Sequence, residues 1–422
     1  MTRRFDERSP RERVVITGMG IHCPIGQSRG EVWASLVEGK SGTGPIARFD
    51  ASDLDSQIAG EVSGFDPRVY LGAKEARRAD RYVQLAVAAG HDACEHADLE
   101  INDSNADRIG VLIGTAMGGM ETIERELGVL TERGPGRVSP FFVPMYLGDM
   151  ASGYLSIVLG ARGPNFAPLS ACASAAHAIG ESAEMIRRGA ADVMIAGGSE
   201  AAVTRGSVAG FAALQALSTR NDEPETASRP FDATRDGFVI GEGAGVLVLE
   251  SLAHAIERGA MPLAEISGYG ATADASHIVQ PDAEGAGAAR AMRIAIDQIG
   301  VEAGEIDYIN AHGTSTPMND RLESLSIYTV FGANGCPPTS STKALTGHLL
   351  GAGGGIEAVF TVEAILHETL PPTWHYEHAD PDCRLDYVTD GPRSAVINHA
   401  ISNSLGFGGH NVSLAISRFN DE

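Results

Sequence analysis

Short apolar runs closed by glycine alternate along this chain with longer amphipathic stretches. Residues 14–20 (VVITGMG), 108–114 (RIGVLIG), 191–198 (ADVMIAGG) and 244–250 (AGVLVLE) are rich in β-branched and aliphatic side chains, the form taken by strands buried on both faces. Residues 76–94 (ARRADRYVQLAVAAGHDAC) and 174–190 (SAAHAIGESAEMIRRGA) instead space their apolar side chains as helices do. Such alternation predicts an α/β fold whose mixed sheets are covered by helices. The glycines fall at the ends of these runs and not in one tract, so they read as turn punctuation, not as a linker.

The pattern also repeats. Residues 264–276 (AEISGYGATADAS) echo residues 14–26 (VVITGMGIHCPIG) in their strand-then-Gly-x-Gly shape. In order along the chain, RIGVLIGTAMGG pairs with IDYINAHGTSTP, and the helix opening at Cys172 pairs with the glycine-rich segment after Lys343. The echo suggests two related halves, and chance likeness of short glycine-bounded strands is the alternative. Neither Gly-x-Gly site carries the third glycine of a dinucleotide fingerprint, and no G-x-x-x-x-G-K-[ST] is present. Oxidoreductase and NTPase readings are thereby disfavoured.

At 422 residues the chain is long enough for more than one core. No apolar run reaches the length of a membrane span. Residues 1–12 (MTRRFDERSPRE) lack the apolar stretch of a secretory signal and read as a flexible, solvated tail, so a cytoplasmic location is expected. A formal net charge of −23 argues against general nucleic-acid binding. Five scattered cysteines without a C-x-x-C pair suggest neither a disulfide framework nor a zinc site.

Among those cysteines Cys172 stands apart, because PLSACAS runs directly into a helical pattern. A sulfur at a helix N-terminus meets the positive end of the dipole, which favours the thiolate, and the free N–H groups there could hold an oxyanion. A small buried cysteine would look the same. His312 (NAHGTSTP) and His348 (STKALTGHLLGAGG) lie where elements end, the usual place for catalytic groups. Neutral imidazoles at these positions could donate hydrogen bonds to an enolate oxygen. Lys343 and Glu323 flank them and suggest an orienting ion pair, with an exposed surface pair as the alternative. Phe407 sits among glycines in ISNSLGFGGHN, a loop that could gate a pocket or simply turn into the last strand.

Taken together, SACAS, NAHGTSTP, STKALTGH and NSLGFGGHN resemble, in order, the motifs of the β-ketoacyl-acyl-carrier-protein synthases. The likeness is to the type II synthases of fatty-acid elongation and the ketosynthase α subunits of type II polyketide systems. It runs from about Val14 to Arg418 and includes GRVSPFFVP, ALSTRND and ASRPFDATRDGFVIGEGAG. The resemblance implies a thiolase-like fold of five α-β-α-β-α layers, in two halves over residues 13–262 and 263–422, commonly as a dimer with itself or a related subunit. It implies Cys172 as acyl-accepting nucleophile, with His312 and His348 stabilising a malonyl enolate. Lys343 and Glu323 would support them, and Phe407 would share the oxyanion hole and gate the pocket. Thr314 and Thr316 match pantetheine-arm positions, and Met117 and Phe211 match acyl-pocket positions.

Substrates would ride on the phosphopantetheine of an acyl carrier protein, with no metal or nucleotide required. Carrier proteins are acidic, so Lys74, Arg77, Arg78 and Arg81 form the expected docking patch, although a solvated helix face would look alike. Some positions depart from the family pattern: Leu405 for an aromatic, His410 for Thr, Gln215 for a basic residue and Ala175 for Gly. Thiolases and ketoacyl synthases III share the fold but not the two-histidine pattern. A non-catalytic chain-length or scaffold subunit remains the reading from a different class.

Overall fold

The computed structural model describes residues 8–332 and 335–420. Residues 1–7 of the expected tail lie outside them. From Arg8 the chain is fastened, which corrects the tail reading for its second part. The Arg8 guanidinium is buried and donates to the Ser267 carbonyl at 2.9 Å, so the charge is met by a backbone acceptor instead of water.

Each apolar run expected to be a strand is one. In the first half these are β1 (Val14–His22), β2 (Ile109–Gly114), β3 (Asn165–Phe166), β4 (Val193–Glu200) and β5 (Gly243–Ser251). The second half contributes β6 (Ala264–Ala273), β7 (Tyr308–Asn310), β8 (Thr339–Ser340), β9 (His399–Gly406) and β10 (His410–Arg418). Across the sheet the first half runs β3-β2-β4-β5-β1 and the second β8-β7-β9-β10-β6. Strand directions match position by position, with parallel pairs at one end of each half and antiparallel pairs at the other. The halves meet edge to edge where Val15 and Ile16 pair with Glu265 and Ala264. The repeated order is the duplication that the sequence echo suggested.

Side-chain alternation then builds the layers. On β5, Leu247 and Leu249 enter an inner cluster with Met19, Ile179, Val359, Val412 and Leu414. Val246 and Val248 enter an outer one with Tyr82, Val83, Ile109 and Val111. A second outer cluster joins Met292, Ile296, Ile309, Ile327 and Ala415 on the other half. Helix α1 (Arg81–His96) covers the first half. α2 (Ser174–Arg187) and α5 (Gly353–His367) fill the middle, and α3 (Ala286–Ile299) and α4 (Pro317–Phe331) cover the second half. This is the five-layered α-β-α-β-α arrangement. The helix expected over residues 76–94 is interrupted, because Asp80 adopts extended backbone and caps α1 by accepting from the Tyr82 N–H.

The two Gly-x-Gly sites serve packing. A Cβ on Gly18 or Gly20 would overlap the carbonyl oxygens of Ala93 or Ala89 on α1. On the other half, Gly268 and Gly270 stand in the same relation to Ala295 and Ala291 of α3. Gly270→Ala is expected to cost about 1–3 kcal/mol through overpacking. Gly30→Ala, in the first turn of a helix where the added Cβ meets nothing within 4 Å, should hold stability or raise it by up to about 1 kcal/mol, and urea titration of both variants checks this.

Candidate active site

Cys172 reaches the protein centre by a strained turn. Ala171 stands at φ 50°, and Ala171–Ala173 form a single 3-10 turn before α2 begins. The Ser174 hydroxyl closes that turn, accepting from the Ser170 N–H at 2.8 Å and donating to the Ala171 carbonyl at 2.7 Å. From the second half, His312 follows β7 and His348 stands shortly before α5, its N–H bonded to the Val239 carbonyl at 2.7 Å. The structure brings the three side chains together. His348 Nε2 lies 3.0 Å from Cys172 Sγ, and the two imidazoles meet edge to face with centroids 5.2 Å apart.

Burial sets the charges. It pushes the Cys172 thiol up to about 12, opposed by the positive charge of Lys343. A sulfur held so high rests as the thiol at pH 7, against the thiolate expected from its place near a helix end. Burial, reinforced by Lys343, holds both His312 and His348 well below the usual histidine range, so both imidazoles are neutral at pH 7. A neutral ring offers one N–H donor and one acceptor nitrogen.

Lys343 does not pair with Glu323. Its ammonium donates to the Glu357 carboxylate and to the His312 carbonyl, the latter at 2.6 Å. Lys343 and Glu357 are each 1% exposed, so the pair is sealed from water. Glu323 instead accepts the backbone N–H groups of His312 and Gly313, each at 2.8 Å, and the Asn403 amide at 3.3 Å. Both acids thus hold the His312 segment, one through its amides and the other through a lysine. Burial raises Glu323 to about 7. Sequence reasoning missed Glu357, whose signal was a carboxylate inside the apolar run GGGIEAVF.

A cavity of about 300 Å³ opens above the three side chains. Phe211, Phe407, Leu405, Gln215, Thr314 and Thr316 line it. Phe407 occupies the turn between β9 and β10, its ring 6.5 Å from that of Phe211. Gly406 beside it crosses the nucleophile's backbone, and a Cβ there would lie 3.1 Å from the Cys172 nitrogen. Thr316 also caps α4 by accepting the Asn319 N–H, and its hydroxyl lies 3.1 Å from that of Thr314. Met117 packs against the apolar cluster that contains Cys172.

Of the expected basic patch, Lys74 and Arg77 are exposed, and Arg78 stacks over the Phe141 ring at 4.6 Å. Arg81 is removed from it. Its guanidinium turns inward and grips the Glu242 carboxylate at 2.6 and 2.7 Å, because that buried acid has to be neutralised. Among the described residues no helix is long and apolar enough to cross a membrane.

Two family models cover most of the chain: the β-ketoacyl synthase N-terminal domain over residues 11–255 and its C-terminal domain over 263–377. The chain belongs to the β-ketoacyl synthase family. It is 50% identical over 410 residues to the 3-oxoacyl-[acyl-carrier-protein] synthase 2 of Synechocystis sp., covering 97% of this chain and 99% of that one. The synthase 2 of Staphylococcus aureus is also 50% identical, over 412 residues. Among solved structures, a β-ketoacyl synthase from Burkholderia phymatum superposes with a TM-score of 0.91 at 37% identity, covering 97% of this chain and 100% of that one. A type II polyketide ketosynthase in complex with its acyl-carrier protein gives 0.89 at 33%, with 97% and 99% covered. The family fold and enzyme class, an acyltransferase of the β-ketoacyl synthase type, follow from these likenesses.

Because burial holds the thiol high, alkylation of Cys172 by iodoacetamide should accelerate about tenfold per pH unit between about pH 7 and about pH 10, without a plateau. Lys343→Met removes the charge that lowers the thiol and should slow alkylation throughout, as followed by intact mass.

Proposed function

We propose that Cys172 accepts an acyl group from a carrier protein and that His312 and His348 then direct its condensation with a malonyl unit. The observation that carries this is the contact of Cys172 Sγ with His348 Nε2 at 3.0 Å, with His312 alongside. Neutral His348 takes the thiol proton as sulfur attacks the carrier thioester, and the carrier thiol leaves with a proton. In the second stage the malonyl carboxylate departs as carbon dioxide, and its bonding pair moves into the thioester carbonyl as an enolate. N–H groups of His312 and His348 donate to that oxygen. The enolate carbon attacks the acyl-Cys172 carbonyl, whose oxyanion is held by the backbone N–H groups of Cys172 and Phe407. Cys172 sulfur then leaves as thiolate and regains its proton from water, releasing β-ketoacyl-carrier.

In this scheme Lys343, Glu357 and Glu323 position the His312 segment, Thr314 and Thr316 receive the pantetheine arm, and Phe407 with Phe211 and Met117 bounds the acyl chain. Residues 13–262 supply the nucleophile and 263–422 the histidines. The steps call on no metal or nucleotide. The relatives named 3-oxoacyl-[acyl-carrier-protein] synthase 2 and the type II polyketide ketosynthase support a product that enters fatty-acid elongation or polyketide synthesis.

A dimer, with a second copy or a related subunit, fits the exposed edge strand β3 and the apolar side chains of Leu127, Leu130, Val143, Ile157, Phe166 and Leu169 on adjoining elements.

Intact-mass analysis of wild type and Cys172→Ala with a panel of acyl carriers, then malonyl carrier, tests the chemistry. Acylation of wild type alone, discharged into β-ketoacyl carrier, is the expected outcome. No adduct from any carrier would overturn it in favour of a partner-dependent chain-length or scaffold subunit. For docking, Arg77→Glu with Arg78→Glu should raise KM for the carrier by about tenfold with kcat within about twofold. Arg81→Ala, which strands Glu242, should instead cost about 3 kcal/mol of stability.

A further inference from the structure

Glu200 ends β4 inside the protein, and every group bonded to its carboxylate is uncharged. Oε1 accepts from the Thr115 hydroxyl at 3.0 Å, while Oε2 accepts the Ala116 N–H at 2.7 Å and the Gly351 N–H at 3.1 Å. Thr115 Oγ1 in turn accepts the Gly118 N–H at 3.1 Å, closing the turn that carries Met117 onto the same carboxylate. The other segment carries Leu350, which lines the cavity two residues beyond His348 and stands at φ 44°. The two segments touch backbone to backbone at the carboxylate. A Cβ on Gly351 would overlap the Ala116 nitrogen and lie 2.8 Å from Glu200 Oε2.

Burying a carboxylate without a cation is costly, and Glu200 makes no hydrogen bond to Cys172 or to either histidine. What it does is join two apolar segments, of which the Leu350 segment lines the cavity. Met117 and Leu350 both pack in the cluster that contains Cys172, with Val203 and Val208. We propose that Glu200 is a positioning residue that fixes the depth of the acyl cavity, by tying the Met117 turn to the Leu350 turn. Long acyl chains that reach those segments would depend on this tie, and short ones would not. The inference rests on the reading of Cys172 as acyl acceptor.

Burial raises Glu200 to about 7. The titratable groups that face it are Cys172 and, from α1, Tyr82, whose hydroxyl burial pushes upward; both are uncharged near neutral pH. Above its pKa the carboxylate accepts from these donors. As pH falls through about 7 a proton occupies one oxygen and an acceptor site is lost, so the tie loosens on the acid side.

The test compares transfer to Cys172 from butyryl and palmitoyl carriers between about pH 6 and about pH 8 in wild type, Glu200→Gln and Thr115→Val. Wild type should lose palmitoyl relative to butyryl transfer toward the acid side. Glu200→Gln should lower that ratio roughly tenfold and abolish its pH dependence. Thr115→Val removes a donor that favours the charged carboxylate, so the inflection should move to higher pH. A folded Glu200→Gln with the wild-type ratio and profile, or with both chains slowed equally, would overturn the inference. If Glu200→Gln does not fold, an unmoved inflection in Thr115→Val overturns it. A wild type that accepts no acyl group would overturn the acyl-acceptor reading itself, a result distinct from acylation without chain-length dependence.

Discussion

The site depends on the burial of α2 and α5 between the two halves of the sheet. Packing two helices into the centre of a protein excludes water from their N-terminal ends and from the segments that lead into them. Every polar group placed there has to find a partner inside. The 3-10 turn that leads into α2 presents Cys172, and the approach to α5 presents Lys343 and His348, so the apolar clusters that hold the layers together also dehydrate the chemistry. Gly18, Gly20, Gly268 and Gly270 serve the same construction on the outside, where they let α1 and α3 lie directly on their strands.

Dehydration then sorts the charges. The Lys343 ammonium at the centre is tolerated because Glu357 and a carbonyl surround it. Its field and the loss of water keep both histidines neutral, while the thiol stays protonated. A site arranged this way presents N–H donors and an acceptor nitrogen instead of imidazolium, and that suits enolate formation, where a strong acid nearby would quench the carbanion. Glu323 acts on the same segment through the amides of His312 and Gly313.

The cavity shows a similar division of labour. Apolar side chains from separate elements bound it, and backbone turns with positive φ at Gln215 and Leu350 shape its walls. The Leu350 turn is held from behind by the buried Glu200 carboxylate, which accepts the Gly351 N–H. The surface follows another logic: Lys74, Arg77 and Arg78 project outward on a strongly acidic chain, while Arg81 of the same run serves the interior.

What the sequence by itself determined was local or periodic. The four strand runs, the repeated halves and the helix after Cys172 were legible because burial on both faces forces continuous apolar runs, and duplication repeats their order. Cys172, His312, His348, Lys343 and Phe407 were legible as residues at element ends within ordered motifs. Pairing was not. Glu323 and Glu357 are both acids near a lysine in outline, and only the path of α5 through the middle layer decided that Lys343 meets Glu357. Arg81 reads as one more basic side chain until α1 turns it toward Glu242. The state of the thiol also escaped the sequence, because a helix end is visible in a local pattern whereas desolvation depends on everything packed around the sulfur.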